Sequence, residues 1–403
     1  MKRNVTSQAM RADADLTGPL HFDAPILPRK IAVVASYTPS LTNFRLELLK
    51  RMVEAGHSVT AFAPEDDPVV KADLTSIGVD FVLMPMARTG LNPVEDFATL
   101  SFLIRQFRRL QPDMVLPYTM KPIIYAGIAA RIAGVGHRCF LVTGLGHVFS
   151  DAGAASFKGR LVRMFSVLLY KLAFSGAHVV FAYNNADDED LRRHNMLKDK
   201  SLIELVPGSG VDLQHYHFSE ASEGRPKFLL VARLLKDKGI LEYVEAARIV
   251  KRSFPDAEFR LLGHFDPNPT AISREDITSW VEEGVIDYLG ETRDVRPFLA
   301  DCNVFVLPSY YREGIPRSIL EALSSGRAVI TSDLPGCSDT VEHGVNGYLV
   351  PPRNAQRLAN AMLEFVRDPK RARTMGRSSR ELAERKFDVH QVNHQLMRRM
   401  GLL

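Results

Sequence analysis

Two glutamates with seven residues between them, Glu313 and Glu321, lie in the run Tyr311-Arg-Glu-Gly-Ile-Pro-Arg-Ser-Ile-Leu-Glu-Ala-Leu-Ser-Ser-Gly-Arg327. Pro316 suits the first position of a helix, where its missing N–H costs nothing, and Gly326 suits a helix stop. Glu313 then sits on the loop leading in, and Glu321 a turn or more inside. Such a start leaves the amides of Gly314 and Ile315 free at the positive end of a helix, a seat for a phosphate, with a carboxylate on either side for sugar hydroxyls. A nucleotide sugar fits that pattern. By itself the spacing occurs by chance in many helices, so position in the fold has to carry the reading.

A second cluster lies upstream. In Val-Ala-Arg233-Leu-Leu-Lys-Asp-Lys238-Gly239, two cations five positions apart follow a β-branched run. At a strand-to-helix turn they can hold a diphosphate, with charge-assisted hydrogen bonds worth roughly 1.5–3 kcal/mol each.

These turns need a scaffold, and the hydrophobic rhythm supplies one. From Lys30 onward, short apolar runs alternate with helical patterns, as in a parallel sheet covered by helices. Strands are expected at 31–35, 58–63, 81–84, 114–117, 139–143, 178–182 and 203–206. Phe44, Leu46, Leu48, Leu49 and Met52 lie largely on one face of the helix between the first two. Pro207-Gly-Ser-Gly210 and the polar stretch 219–227 break the rhythm. A second cycle follows, with strands at 228–232, 258–262, 286–289, 304–307 and 328–332 and a mostly helical tail. The fold class is therefore α/β, two Rossmann-like doubly wound domains facing a cleft at the carboxyl ends of their strands. The divisions are an N-terminal arm at 1–28, a first domain at 29–208, a linker at 209–226, a second domain at 227–385, and a C-terminal helix at 386–403 that crosses back to the first domain.

At 403 residues the chain fits two domains, and a net charge of +4 neither demands nor excludes nucleic acid. The three cysteines, Cys139, Cys302 and Cys337, are scattered and form no C-x-x-C, which points away from a disulfide framework or zinc site and towards a reducing compartment. Asp66-Asp67 and Asp187-Asp188 lack a third ligand at a recognisable spacing, so no metal is expected. No apolar run is long enough to span a bilayer, and the start of the chain is too polar for a signal peptide. The absence of G-x-G-x-x-G after either opening strand disfavours a dinucleotide oxidoreductase.

Taken together, Arg233…Lys238-Gly, the paired glutamates and Gly344-Val-Asn-Gly347-Tyr-Leu-Val-Pro-Pro resemble the retaining glycosyltransferases of family 4, which have the GT-B fold. Asn43-Phe-Arg45, Tyr118-Thr-Met-Lys-Pro-Ile-Ile-Tyr125, Thr143-Gly-Leu-Gly146, Gly208-Ser-Gly-Val-Asp212 and Pro335-Gly-Cys337 resemble the subset that builds capsule, exopolysaccharide or lipid-linked glycan. The resemblance implies that the first domain binds the acceptor and the second the nucleotide sugar. Arg233 and Lys238 would hold the donor diphosphate and stabilise its departure, Glu321 the ribose, and Glu313 the transferred sugar near its anomeric carbon. Gly314 and Ile315 would join the phosphate seat, Thr292 in Gly290-Glu-Thr-Arg-Asp294 would stand where the base, expected to be uracil, is contacted, and Arg45 would be a further donor contact. The implied partners are a UDP-sugar and a polyprenyl-diphosphate-linked or other bacterial surface glycan, with peripheral contact to anionic inner membrane as an option and no cofactor, metal or nucleic acid, at the cytosolic face of the inner membrane. A 2-epimerase of UDP-N-acetylhexosamine with the same architecture is the nearest competitor, and a silent nucleotide-sugar-binding protein a further one.

Five segments depart from the family or carry a second reading. Where relatives have a cleft histidine this chain has Gly144-Leu-Gly146, and His147 reads as structural. Where the subset shows Arg-Glu after Pro-Gly-Cys, this chain has Ser338-Asp339, an acid of shorter reach that would alter the donor's hydroxyl recognition. Asn43 and Arg45 also read as a helix cap and a surface charge. The basic, apolar segment 157–171 reads as a membrane-surface helix worth about 1 kcal/mol per cation near anionic lipid, or as a crossover helix packed on the sheet; the second reading is preferred. The cluster Arg105, Arg108, Arg109 is read as solvated, with lipid contact the alternative.

Overall fold

The computed structural model describes residues 27–87, 92–149, 156–222, 224–266, 268 and 270–403; the expected arm at 1–28 falls almost wholly outside them, as does the side chain of His147. The first half builds β1 (Lys30–Val34), α1 (Pro39–Glu54), β2 (Ser58–Ala63), α2 (Pro68–Ser76), β3 (Asp80–Leu83), α3 (Pro93–Leu110), β4 (Met114–Pro117), α4 (Met120–Ala133), β5 (His137–Val142), α5 (Phe157–Ala173), β6 (Val179–Ala182), α6 (Asn185–Arg193) and β7 (Ile203–Leu205). Its strands form one parallel sheet in the order β3-β2-β1-β4-β5-β6-β7. Strands such as Met114–Pro117 and Val179–Ala182 are buried along their whole length, as expected when helices cover both faces.

Right-handed crossovers put α1 and α2 on one face and α3, α4 and α5 on the other, and the contacts of α1 with α2, and of α4 with both α3 and α5, follow that division. Local chemistry starts the helices: the Asp67 carboxylate accepts the Val69 and Val70 amides ahead of α2, and Asn92 accepts Val94 N–H ahead of α3, with proline at each first position.

The second half builds β8 (Lys227–Val231), α7 (Ile240–Ser253), β9 (Glu258–Leu262), α8 (Arg274–Glu282), β10 (Asp287–Tyr288), α9 (Arg296–Ala300), β11 (Val304–Leu307), α10 (Arg317–Ser324), β12 (Ala328–Ser332), β13 (Gly347–Val350), α11 (Ala355–Arg367), α12 (Lys370–Leu382) and α13 (Val389–Met400). Its parallel sheet runs β10-β9-β8-β11-β12-β13. The doubly wound tandem expected from the sequence is the architecture found. Strand β13 was not expected; its residues were read only as part of a motif. Gly347 opens that strand because a Cβ there would meet Val329 O at 1.8 Å.

A π-helical segment, Ala383–Phe387, leads into α13, which returns to the first sheet and packs on α1. Gln395 donates to Leu205 O at 3.1 Å and Arg399 pairs with Glu204 at 2.8 Å. The two chain crossings between halves are themselves joined, since Val211 N–H donates to Phe387 O at 2.7 Å and Val389 N–H to Val211 O at 3.1 Å.

Candidate functional site: a cleft between two sheets

In each sheet the strand order reverses once, between β1 and β4 and between β8 and β11, and a crevice opens at the carboxyl ends there. The two crevices merge into one large cleft lined by both halves. Arg233 follows β8, Lys238 closes the short 3-10 turn Lys236–Lys238, Glu313 lies after β11, and Glu321 is inside α10. All four line the cleft, together with Gly314, Ile315, Thr292 and Arg45.

None of the four charges stands alone. Lys238 Nζ is paired with Glu313 Oε1, both side chains being 13% exposed, and the same oxygen accepts Ser309 Oγ at 3.0 Å. Arg233 Nη1 pairs with Asp266 Oδ2 at 2.9 Å. Glu321 Oε1 accepts the Tyr216 hydroxyl at 3.0 Å and Arg317 Nε at 3.1 Å. Burial, reinforced by the Glu321 carboxylate, raises the Tyr216 pKa well above its ordinary value, so the phenol stays a donor. Arg317 also donates to Gly210 O at 2.6 Å, tying Glu321 to the crossing between the halves.

Close backbone contact fixes the glutamate loop. A Cβ on Gly336 would meet Gly314 O at 1.8 Å, one on Gly314 would meet Thr143 O at 2.3 Å, and one on Gly208 would meet Ile315 Cβ at 2.8 Å. Only glycine lets three segments stack this tightly. Asn184 Nδ2 donates to Glu313 O and to Gly314 O, each at 3.3 Å, and Arg312 reaches Phe149 O at 2.8 Å and pairs with Asp190. The amides of Gly314 and Ile315 have no hydrogen-bond partner among the described residues.

The opposite wall is built differently. Arg45, 3% exposed, lies 5.1 Å from the ring centre of Tyr118 and 5.7 Å from that of Tyr183, donates to the Tyr183 hydroxyl, and leaves its Nε without a partner. Thr119 holds φ 67° and ψ 161° at the start of α4, a region costly for a β-branched residue, with its hydroxyl 2.7 Å from Ser36 Oγ. Lys121 pairs with Asp96 at 3.0 Å. Phe97, Leu100, Ile124, Leu161, Phe165 and Leu169 form an apolar section of this wall, and Thr42, Asn43, Glu47, Asp67 and Asp73 line a polar one.

Residues 42–207 match the family profile described as Glycosyl transferase 4-like domain, and residues 225–368 the one described as Glycosyl transferases group 1. The chain is 30% identical over 354 residues, 85% of its length and 90% of the relative's, to the Campylobacter jejuni N,N'-diacetylbacillosaminyl-diphospho-undecaprenol alpha-1,3-N-acetylgalactosaminyltransferase. It is 26% identical to the Escherichia coli UDP-Gal:alpha-D-GlcNAc-diphosphoundecaprenol alpha-1,3-galactosyltransferase, covering 76% of this chain and 79% of that one. In fold it is similar to Anabaena Alr3699/HepE, solved in complex with UDP, with TM-score 0.72 and 18% identity over 93% of this chain and 100% of that one. The chain belongs to the family 4 glycosyltransferases.

Several expectations for this glycosyltransferase need correction. Pro316 caps α10 from just outside, with ψ 118°, and Arg317 is the first helical residue. Asn43 is inside α1 and exposed, while Arg45 is buried, so neither is a cap or a surface charge. The buried face of α1 is Leu41, Arg45, Leu48, Leu49 and Met52; Phe44 is exposed in the cleft because the helix runs along its rim. Thr292 spends its hydroxyl on Asp294, donating to the carbonyl and accepting the amide. Asp339 does not line the cleft, since its carboxylate accepts Gly336 N–H at 2.9 Å and so braces the glutamate loop from behind. The crossover reading of 157–171 is incomplete. Helix α5 does cross from β5 to β6, but it buries only Ser166, Tyr170 and Ala173 and turns its large apolar side chains outward.

Some of the site was missed. Asp266, Tyr216 and Asn184 support the predicted residues from distant segments, while Ser309 and Arg317 do so from four residues before Glu313 and Glu321. Asp187 is buried beneath the cleft, accepting Leu145 N–H at 3.2 Å and Asn184 Nδ2 at 3.0 Å, and burial lifts its carboxyl to about 6. The spacing Asn184-x-x-Asp187 was the available signal, a helix-start pattern in which Asn184 caps α6.

Proposed function

We propose that this glycosyltransferase moves a sugar from a UDP donor to a polyprenyl-diphosphate-linked glycan at the cytosolic face of a membrane, with retention of anomeric configuration. The observation that carries the reading is the placement of Lys238, Glu313, Arg233 and Glu321 on one wall of a cleft that two domains share. Relatives whose names specify diphospho-undecaprenol acceptors support the acceptor class.

On this reading the diphosphate displaces Asp266 from Arg233 and Glu313 from Lys238, and the two cations, rather than a metal, counter its charge. Released from Lys238, Glu313 turns to the sugar hydroxyls, while Glu321 binds the ribose. The acceptor hydroxyl attacks the anomeric carbon on the face from which UDP leaves. The bond from that carbon to the β-phosphate oxygen breaks, and that oxygen takes the hydroxyl proton. A 2-epimerase would need no acceptor, so one experiment separates the two: a panel of nucleotide sugars with EDTA present, with and without a lipid-diphosphate acceptor, read by product mass. Acceptor mass gain with a UDP-sugar is expected. Donor isomerisation without acceptor would overturn the proposal. In the same assay Arg233→Ala should cut turnover at saturating donor by about a hundredfold; unchanged turnover would remove Arg233 from the diphosphate site.

A further inference from the structure

Helix α5 is apolar on the side where a surface helix is normally polar. Phe157, Leu161, Met164, Phe165, Leu168 and Leu172 recur at steps of three and four residues and are all exposed, Phe157 at 81% and Met164 at 64%. Single exposed apolar side chains are ordinary, but a stripe of six is a contiguous patch of the kind that marks an interaction surface. Its borders are cationic. At the helical period Lys158 flanks one edge and Arg160 and Lys171 the other, all exposed, and none pairs with a carboxylate of the described residues. The helix carries no acid at all. On the far side of α4, the outward face of α3 continues the pattern with exposed Val94 and Phe97 followed by Arg105 and Arg108.

We propose that α5 seats the protein on an anionic bilayer, the stripe lying among the upper acyl chains and the flanking cations at headgroup phosphates. Charge favours a bilayer over a second copy, because two such faces apposed would bring cations together with no acid between them. This deepens the lipid-linked acceptor reading and rests on it. Leu161 and Phe165 belong both to the stripe and to the cleft wall, and Phe97 lines the same wall from α3. A diphosphate sugar on a lipid tail could thus enter the cleft while its tail stays in the membrane.

The test is flotation of the full chain with phosphatidylcholine vesicles, with and without phosphatidylglycerol, beside transfer to a short-chain, water-soluble acceptor. Wild type should bind the anionic vesicles. The double variant Met164→Gln/Leu168→Gln, outside the cleft lining, should lose binding about tenfold or more and keep transfer to the soluble acceptor. Arg160→Gln/Lys171→Gln should lose the preference for anionic lipid while still folding, as read by its thermal melt. Wild type remaining unbound, or both variants binding like wild type, overturns the proposal. Self-association in sedimentation that Met164→Gln/Leu168→Gln abolishes overturns it too, assigning the face to a second copy. Vesicle binding with no transfer from any donor would leave the docking standing and remove the proposed function instead.

Discussion

The two walls of the cleft solve different problems. The wall from the second domain carries the charged cluster, and there Arg233, Lys238, Glu313 and Glu321 each have a partner, while glycines press the glutamate loop against the first domain. The wall from the first domain has an apolar section drawn from α3, α4 and α5, and holds a buried arginine with an unpaired Nε and a strained threonine. A preset polar wall suits a small, highly charged ligand whose groups must replace existing partners one for one. An apolar section beside it suits a larger partner that brings its own hydrophobic surface.

Gly336→Ala should break the preset wall most severely. Its Cβ would meet Gly314 O at 1.8 Å, with backbone on both sides of the clash and φ at 85°. A loss of about 4 kcal/mol or more is expected, with donor binding abolished. Gly344 has φ 80° but open space around its Cβ position, so Gly344→Ala should cost only about 1–2 kcal/mol. Equal destabilisation of the two variants in denaturant melts would show that backbone conformation, and not the stacked loop, sets the cost.

Asp187 tests the ground beneath the apolar wall. Burial raises its folded-state pKa to about 6, so the folded protein holds that proton more tightly than the unfolded chain does. Its contribution to stability is therefore intact below the ordinary carboxylate pKa and falls as pH rises from about 4 to about 6, then levels off. Asp187→Asn lacks this titration. The stability difference, variant minus wild type, should climb through that window by up to about 3 kcal/mol and then stay flat. A pH-independent difference would mean that burial does not raise the Asp187 pKa.

The asymmetry of the walls also explains what the sequence could reveal. Arg233 to Lys238 and Glu313 to Glu321 are contiguous runs at strand ends, so spacing and turn chemistry located them, and strands such as Ser58–Ala63, Met114–Pro117, Glu258–Leu262 and Ala328–Ser332 have the limits expected from their apolar runs. Partners such as Asp266, Tyr216 and Asn184 act across long stretches of chain, and no local pattern encodes a long-range contact. Helix α5 shows a subtler limit. Its period identifies a face, but whether that face meets the sheet or the outside depends on neighbours, and here Tyr170 and Ala173 face inward while the larger apolar stripe does not.

Glu321→Ala probes affinity more than folding. Removing the acceptor of two hydrogen bonds should weaken donor binding by roughly 1.5–3 kcal/mol, about ten- to a hundredfold, with a smaller effect on stability because Arg317 keeps its bond to Gly210 O. Calorimetric titration with UDP reads it directly. UDP affinity equal to wild type would take the ribose away from Glu321 and leave the residue a brace for Tyr216 and Arg317.

The smallest effect should come from Asp339→Ala, and it bears on what sets donor choice. Its carboxylate faces away from the cleft and accepts Gly336 N–H, while Lys386 donates to its backbone carbonyl at 2.9 Å, a bond the substitution leaves in place. Loss of the side chain should cost about 1 kcal/mol of stability through the freed amide and leave the ranking of donor sugars unchanged. A reordered donor panel would mean that Ser338 and Asp339 reach the sugar when the cleft is filled. An unchanged ranking would limit Asp339 to bracing the glutamate loop through Gly336.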